Sequence, residues 1–123
     1  MIVGIDLGTT NSLVAYCKEG KVEVIPNRLG KFLTPSVVCV DDKDNILVGE
    51  LAKEYGYLHP DCCAKVFKRT MGTNKQYELM NHSFSSEELS SFVLRSLIED
   101  AEVFLNEKNS SNFALSTTSV MLP

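Results

Sequence analysis

The chain lacks tryptophan, has only two histidines and four cysteines, and contains no long run of apolar residues. A membrane-spanning helix needs about 20 predominantly apolar residues, so the sequence predicts no membrane segment. The formal net charge of −4 argues against nonspecific nucleic-acid binding, which relies on a basic surface. No basic segment precedes an apolar stretch near the N-terminus, so no secretory signal is expected and a cytoplasmic location is predicted.

The four cysteines show no metal-binding or disulfide pattern. Cys17 and Cys39 lie in strand-like segments, Cys62 and Cys63 are adjacent, and neither C-x-x-C nor H-x₃₋₅-H occurs. A zinc site depends on such spacings and therefore has little support here. Free thiols are the expected state, as in most proteins of a reducing compartment.

A short apolar strand at residues 2–6 runs directly into a tight turn that contains Gly8, Thr9 and Thr10. Gly8 leaves no Cβ between the turn and a ligand, so neighbouring amides and the two hydroxyls could cradle phosphate oxygens. Asp6, at the end of the strand, would stand where Mg²⁺ must be held beside those phosphates. The pattern alone leaves a second interpretation open, an ordinary hairpin with Gly-Thr-Thr as its turn.

The remaining pattern predicts an α/β protein. Residues 85–105 form the best-defined helix, with a capping box at Ser85 and Glu88, an apolar stripe at helical spacing, and a solvated acidic face that includes Asp100. Elsewhere, strands are expected at residues 2–6, 13–18, 21–25, 36–40 and 46–48, and helices at residues 50–57 and 62–71, the latter ended by a glycine.

The segment I-D-L-G-T-T-N-S at residues 5–12 resembles the first phosphate loop of actin-type ATPases, and specifically that of the seventy-kilodalton heat-shock chaperones (DnaK-like). Further resemblances follow in order at residues 20–27, 34–38 (T-P-S-V-V), 48–53, 67–72 (F-K-R-T-M-G) and 89–105. Residues 67–74 (F-K-R-x-M-G-x-N) and 89–97 favour the HscC-like branch. A sugar or carboxylate kinase, which also opens with D-x-G-T-T, is the less favoured alternative.

The resemblance implies an actin-like ATPase (ribonuclease H-like) fold, of which this chain would be a fragment of lobe I. Residues 1–33 would form a mixed sheet with the phosphate loop, residues 34–84 a small accessory α/β subdomain, residues 85–106 the long helix, and residues 107–123 a divergent tail. In the family, such a domain binds ATP or ADP with Mg²⁺ and controls the binding of unfolded polypeptides, assisted by co-chaperones.

The resemblance also implies roles for particular residues. Asp6 would lie near the Mg²⁺ ion, and Lys68 would approach the γ-phosphate and the attacking water. Without the resemblance, Lys68 would be interpreted as a surface lysine. The residues expected to contact the nucleotide phosphates are Gly8, Thr9, Thr10 and Asn11.

The family's second phosphate loop and further metal-positioning carboxylates would come after residue 123. One wall of a two-walled cleft is expected to bind ATP weakly or not at all and to hydrolyse it negligibly, because phosphoryl transfer depends on positioning from both sides. A non-enzymatic remnant or oligomerising fragment is therefore the alternative for the isolated chain.

Beyond residue 105 the resemblance stops abruptly. Codons for residues 117–123, read two bases later, can encode Tyr-Phe-Ser-Asp-Ala, a motif the family carries at this point. We therefore hypothesise a frameshift, with a divergent tail or an arbitrarily chosen chain end as the alternatives. Residues 113–121 have strand propensity and could replace the family's central strand. Without such a strand, an open sheet edge would favour self-association with a second copy.

Overall fold

The computed structural model describes residues 2–109 and 118–121. Of these, residues 108–109 and 118–121 are described by their backbone alone. Within these ranges the chain is α/β, and no helix there is both long and apolar enough to cross a membrane. The elements in order are β1 (Ile2–Leu7), β2 (Asn11–Lys18), β3 (Lys21–Ile25), β4 (Thr34–Pro35), β5 (Val38–Val40), β6 (Ile46–Val48), α1 (Glu50–Leu58), β7 (Cys63–Ala64), β8 (Gln76–Leu79), β9 (His82–Ser85), α2 (Ser86–Asn109) and β10 (Thr118–Met121), with 3₁₀ turns at Pro60–Cys62 and Phe67–Thr70.

The main sheet is mixed, with strand order β10-β1-β2-β3 and with β4 paired to the start of β2. β1 and β2 are antiparallel, and Ile5 lies opposite Val14. Buried and less buried residues alternate along β1 and β2, because successive side chains of a strand point to opposite faces of the sheet. One face of the sheet therefore packs against the core. The hairpins predicted around Gly8 and around residues 19–20 are confirmed.

Helix α2 covers the buried face of the sheet and begins with the predicted capping box. The Glu88 amide donates to the Ser85 hydroxyl over 3.1 Å, and the Ser85 amide donates to a Glu88 carboxylate oxygen over 3.0 Å. These reciprocal bonds satisfy two amides that a helix start leaves unpaired. The predicted apolar stripe is confirmed, and its members are at most 1% exposed: Leu89, Val93, Leu97, Ala101 and Leu105.

The prediction that the acidic face of this helix is wholly solvated is wrong at Asp100. Its side chain is buried and accepts a 2.7 Å hydrogen bond from the Arg28 guanidinium, which also reaches Glu99. This hydrogen bond, opposed in part by desolvation, raises the pKa of Arg28. A buried carboxylate needs such a partner because an unpaired buried charge is costly.

A smaller sheet, with strand order β6-β5-β7, packs beside the main core. Val38 and Val40 of β5 face the main core, whereas Cys39 faces a second cluster with Val37 and Ala52 of α1. Helix α1, predicted at residues 50–57, is confirmed as Glu50–Leu58. The strand predicted at residues 36–40 is shorter, since Ser36 and Val37 separate β4 from β5.

The helix predicted at residues 62–71 is wrong. The segment instead forms the 3₁₀ turn Pro60–Cys62, the strand Cys63–Ala64 and the 3₁₀ turn Phe67–Thr70. Pairing of β7 with β5 holds the chain extended at the point where the helix was expected to begin. Val66 then has a φ of 49°, a left-handed conformation that no right-handed helix can include.

The prediction of four free thiols is wrong for two of them, because Cys39 and Cys63 form a disulfide. They lie directly opposite each other in the register of β5 and β7, a relation that a sequence separation of 24 residues does not reveal. Cys17 and Cys62 are free, as predicted.

Three further strands complete the comparison with the sequence. The hairpin of β8 and β9 was not predicted, because its strands are largely polar and exposed. In the tail, the predicted strand is confirmed at Thr118–Met121, which pairs in parallel with β1. The rest of the predicted strand, residues 113–117, lies outside the described residues.

Candidate functional site

Asp6 lies near the end of β1, beside the turn that follows this strand. Its Oδ1 atom is buried and has no hydrogen-bond partner within the part of the chain that the structure describes. A buried carboxylate oxygen without a partner costs free energy, so its retention needs an explanation such as a bound cation or an ordered water. The chemistry fits Mg²⁺, which prefers oxygen ligands and is commonly held by one or two carboxylates together with phosphates and water.

Gly8 is the position where the turn leaves no room for a side chain. A Cβ built at Gly8 would overlap the carbonyl oxygen of Asn11, a backbone atom that cannot rotate away. The glycine therefore allows the chain to reverse between β1 and β2 within a few residues. Thr9 is partly buried, whereas Thr10 and Asn11 are exposed, so these side chains border solvent beside Asp6.

Ser36 holds the backbone of this turn through two hydrogen bonds. Its hydroxyl donates to the Gly8 carbonyl over 2.9 Å, and its amide donates to the Thr10 carbonyl over 2.9 Å. Since the Ser36 hydroxyl has one proton, the 2.8 Å contact with the buried Ser12 hydroxyl is a bond that Ser12 donates. Two turn carbonyls are thus occupied by the protein.

The sequence did not assign Ser36 this supporting role. The only signal was its place in the T-P-S-V-V segment, which resembles the family but carries no indication of a contact with residues 8–10. Pairing of β4 with β2, in which Thr34 lies opposite Ser12, brings the two segments together.

Lys68 lies in the 3₁₀ turn Phe67–Thr70, named here the Lys68 turn, and is partly buried. Phe67 anchors the turn because it is 2% exposed and belongs to the same buried cluster as Ile5 and Leu7, the neighbours of Asp6. Both predicted site segments are thus attached to one core. Within the described residues, Lys68 makes no ion pair, and no hydrogen bond joins it to the turn at residues 8–11.

Two polar contacts attach the Lys68 turn and the residues directly after it to the start of α2. The Thr70 hydroxyl lies 2.5 Å from the Ser86 hydroxyl, and the Gly72 amide donates to a Glu87 carboxylate oxygen over 2.7 Å. The latter bond lowers the pKa of Glu87, because it stabilises the ionised form. The helix that packs on β1 therefore also holds the segment that carries Lys68.

The depressed pKa of Glu87 gives a testable acid dependence. A carboxyl group with a lower pKa in the folded state contributes stability above its unfolded pKa and loses that contribution as pH falls through the folded pKa. In an NMR titration we expect the Gly72 amide shift to follow the ionisation of Glu87, with a midpoint below the ordinary glutamate value. The Glu87→Gln variant should lack this transition. If the chemical shift of the Gly72 amide did not change at acid pH in the parent chain, the hydrogen bond between Gly72 and Glu87 would be contradicted.

The described residues hold no group of three or more His, Cys, Asp or Glu side chains able to bind a metal ion. Any cation at Asp6 would therefore depend on ligand phosphates and water for its other contacts.

Comparison with known proteins identifies the family of this chain. The model of the family described as Hsp70 protein matches residues 2–113. The chain belongs to the Hsp70 family. It is 47% identical over 105 residues to the chaperone protein DnaK of Thermotoga neapolitana and to that of Thermotoga maritima, and 46% identical to that of Thermosipho melanesiensis.

Each of these alignments covers 85% of this chain and 18% of the DnaK relative. The chain thus spans less than a fifth of the length of the curated Hsp70 relatives it matches. The resemblance noted in residues 5–12 and in the later segments is confirmed at the level of the family, which favours the chaperone over the sugar or carboxylate kinase.

Proposed function

We propose that the turn at residues 8–11, together with Asp6 and Lys68, forms one wall of a site for ATP or ADP with Mg²⁺ in an Hsp70-type chaperone. The observation that carries the proposal is the buried Asp6 Oδ1 atom without a partner, next to a turn that accepts only glycine at residue 8. Membership of the Hsp70 family supports it.

Within this proposal, the turn binds the phosphates through its backbone and hydroxyl groups. Ser36 occupies the carbonyls of Gly8 and Thr10, so the acceptors of the turn are held by the protein while Thr9, Thr10 and Asn11 can donate to a ligand. Donors fixed before the ligand arrives stabilise anionic oxygens without reorganisation.

Asp6 and Lys68 supply the charges. Asp6 would hold Mg²⁺, directly or through its water, and the bound ion would neutralise phosphate oxygens during hydrolysis. The Lys68 ammonium group would approach the γ-phosphate and orient the attacking water. The attachment of Phe67 to the core shared with β1 supports this role, because it restricts where Lys68 can lie relative to Asp6.

The wider architecture follows from the family. We propose lobe I of an actin-like ATPase, with residues 1–33 as its sheet, 34–84 as an accessory subdomain, 85–106 as the long helix and 107–123 as a divergent tail. In the whole protein, nucleotide binding and hydrolysis would control the binding of unfolded polypeptides, with co-chaperones, in the cytoplasm. The opposite wall of the cleft would come from the remainder of the whole protein, since the chain covers 18% of the length of its DnaK relative.

A second candidate is a binding or oligomerising role without turnover. The sequence suggested self-association through a sheet edge if the central strand were missing. Among the described residues β10 covers that edge of β1, so self-association stays a proposal that would use another edge.

The nucleotide proposal is tested by titrating ATP, with and without Mg²⁺, into the ¹⁵N-labelled chain. We expect weak binding that shifts the amides of Gly8, Thr9 and Thr10 and that strengthens with Mg²⁺, and no ATP hydrolysis above background. Asp6→Asn should remove the Mg²⁺ dependence.

Asp42→Asn is the matched control, because Asp42 is an exposed aspartate in the turn between β5 and β6. It should leave the titration unchanged. Turn amides that do not respond to MgATP in the parent chain, or an equal Mg²⁺ dependence in Asp6→Asn, would overturn the proposal.

A further inference from the structure

The disulfide between Cys39 and Cys63 joins two strands that otherwise share little pairing. β7 has two residues, and in the described structure it pairs with β5 only at Val38–Ala64 and Cys39–Cys63. Cys39 is fully buried, whereas Cys63 is partly exposed. The disulfide is therefore the covalent part of an otherwise short attachment, and Cys63 is the more exposed of its two residues.

Helix α1 has a glycine, Gly56, where it passes the two sulfur atoms. A Cβ built at Gly56 would lie 3.2 Å from the Cys63 Sγ and 4.0 Å from the Cys39 Sγ. Glycine destabilises a helix relative to alanine, so its presence in the last turn of α1 indicates that the space is used by the sulfur atoms. The two cysteines thus occupy a prepared site beneath the helix.

The same attachment leads directly into the Lys68 turn. Only Lys65 and Val66 separate β7 from Phe67, and Val66 is held in a left-handed conformation at φ 49°. A β-branched residue adopts this conformation only when the chain on both sides is held in place. Phe67 holds one side through the core, and β7 holds the other.

We propose that Cys39 and Cys63 form a reversible thiol–disulfide modification site that sets the rigidity of the Lys68 turn. The disulfide fixes the chain at residue 63 and so supports the strained conformation at Val66. Reduction leaves β7 with its short strand pairing, and residues 63–70 open more often. Neither the thiol chemistry nor the motion of residues 63–70 rests on the proposed function.

The oxidant is a low-molecular-weight disulfide such as oxidised glutathione. The thiolate of Cys63, the more accessible cysteine, attacks one sulfur of that disulfide, breaks its S–S bond and releases one thiol. The Cys39 thiolate then attacks the Cys63 sulfur, which forms the protein disulfide and releases the second thiol. Two protein thiols are thus oxidised while one small disulfide is reduced to two thiols, and a reduced thiol in excess reverses both steps.

The test uses the full chain in two matched variants. Cys17→Ser/Cys62→Ser retains only the proposed pair, and Cys39→Ser/Cys63→Ser retains only the two cysteines that are free in the structure. Each folded variant is equilibrated in oxidised or reduced glutathione, quenched in acid, unfolded and alkylated, and its thiols are counted by mass spectrometry. We expect no alkylation of the first variant from oxidised buffer and two alkylated thiols from reduced buffer.

Hydrogen exchange of the same samples, without nucleotide, measures the coupling. In the first variant we expect residues 63–70 to exchange on the order of tenfold faster after reduction, while β1 and β2 stay unchanged. The second variant should show no redox dependence and should resemble the reduced form. Two free thiols in the first variant in oxidised buffer, or exchange at residues 63–70 that is the same in both buffers, would overturn the proposal whatever the fate of the nucleotide site.

Discussion

Replacing Phe67 with alanine is expected to lower the free energy of unfolding by about 3–5 kcal/mol. Phe67 is 2% exposed and packs in the cluster that also contains Ile5, Leu89 and Val93, so its removal leaves a cavity between the sheet and α2. The loss would be a large fraction of the total stability, since domains are typically stable by about 5–15 kcal/mol.

Urea denaturation of the variant measures this effect. Phe32→Ala is the matched control, because Phe32 is 60% exposed, and its change should stay within about 0.5 kcal/mol. Where Phe67→Ala proves too unstable to measure, Phe67→Leu should show a smaller loss in the same direction. Equal stabilities for the Phe67 and Phe32 variants would mean that the Lys68 turn is not anchored as the structure shows.

Replacing Gly8 with alanine is expected to destabilise the chain by about 1–3 kcal/mol and to displace the turn at residues 8–11. The added Cβ overlaps the carbonyl oxygen of Asn11, so the backbone must move, and the bonds from Ser36 to Gly8 and Thr10 must stretch or break. Because the proposed phosphate site consists of this backbone, the response of the turn amides to MgATP should be lost as well.

Gly4→Ala, in the preceding strand β1, provides a control. A Cβ at Gly4 meets nothing within 4 Å, so this variant should fold with nearly unchanged stability and retain the response of the turn amides. The comparison is made by urea denaturation and by ¹H–¹⁵N spectra of both variants. If Gly8→Ala matched Gly4→Ala in both measurements, the close approach at the turn would not control its conformation.

The sequence predicts those parts of the fold that local chemistry decides. The capping box at Ser85 and Glu88 and the stripe from Leu89 to Leu105 depend on spacings within one helix, and both are confirmed. The strands around Gly8 follow from short apolar runs joined by a turn residue. The family resemblance placed Asp6 and Lys68 among the site candidates, and the structure attaches their segments to one core.

The parts that were missed depend on partners distant in the sequence. The predicted helix at residues 62–71 is replaced because β7 pairs with β5, some 24 residues earlier. Asp100 was assigned to a solvated face, but it is buried because Arg28, 72 residues away, donates a hydrogen bond to its carboxylate. The support that Ser36 gives to Gly8 and Thr10 likewise joins segments far apart in the sequence, since Ser36 and Gly8 are 28 residues apart. Periodicity and capping signals within one segment contain no information on such contacts.

The parallel pairing of β1 with β10 has a consequence for the order of folding. β1 and β2 are joined by a tight turn, and such hairpins form within about 1–10 μs. In contrast, Val3 and Thr118 meet only after nearly the whole chain has closed into a loop, which is entropically costly and slow. Since Asp6 lies opposite Met121 in this register, we expect the strand that carries the proposed magnesium ligand to acquire its second neighbour late in folding.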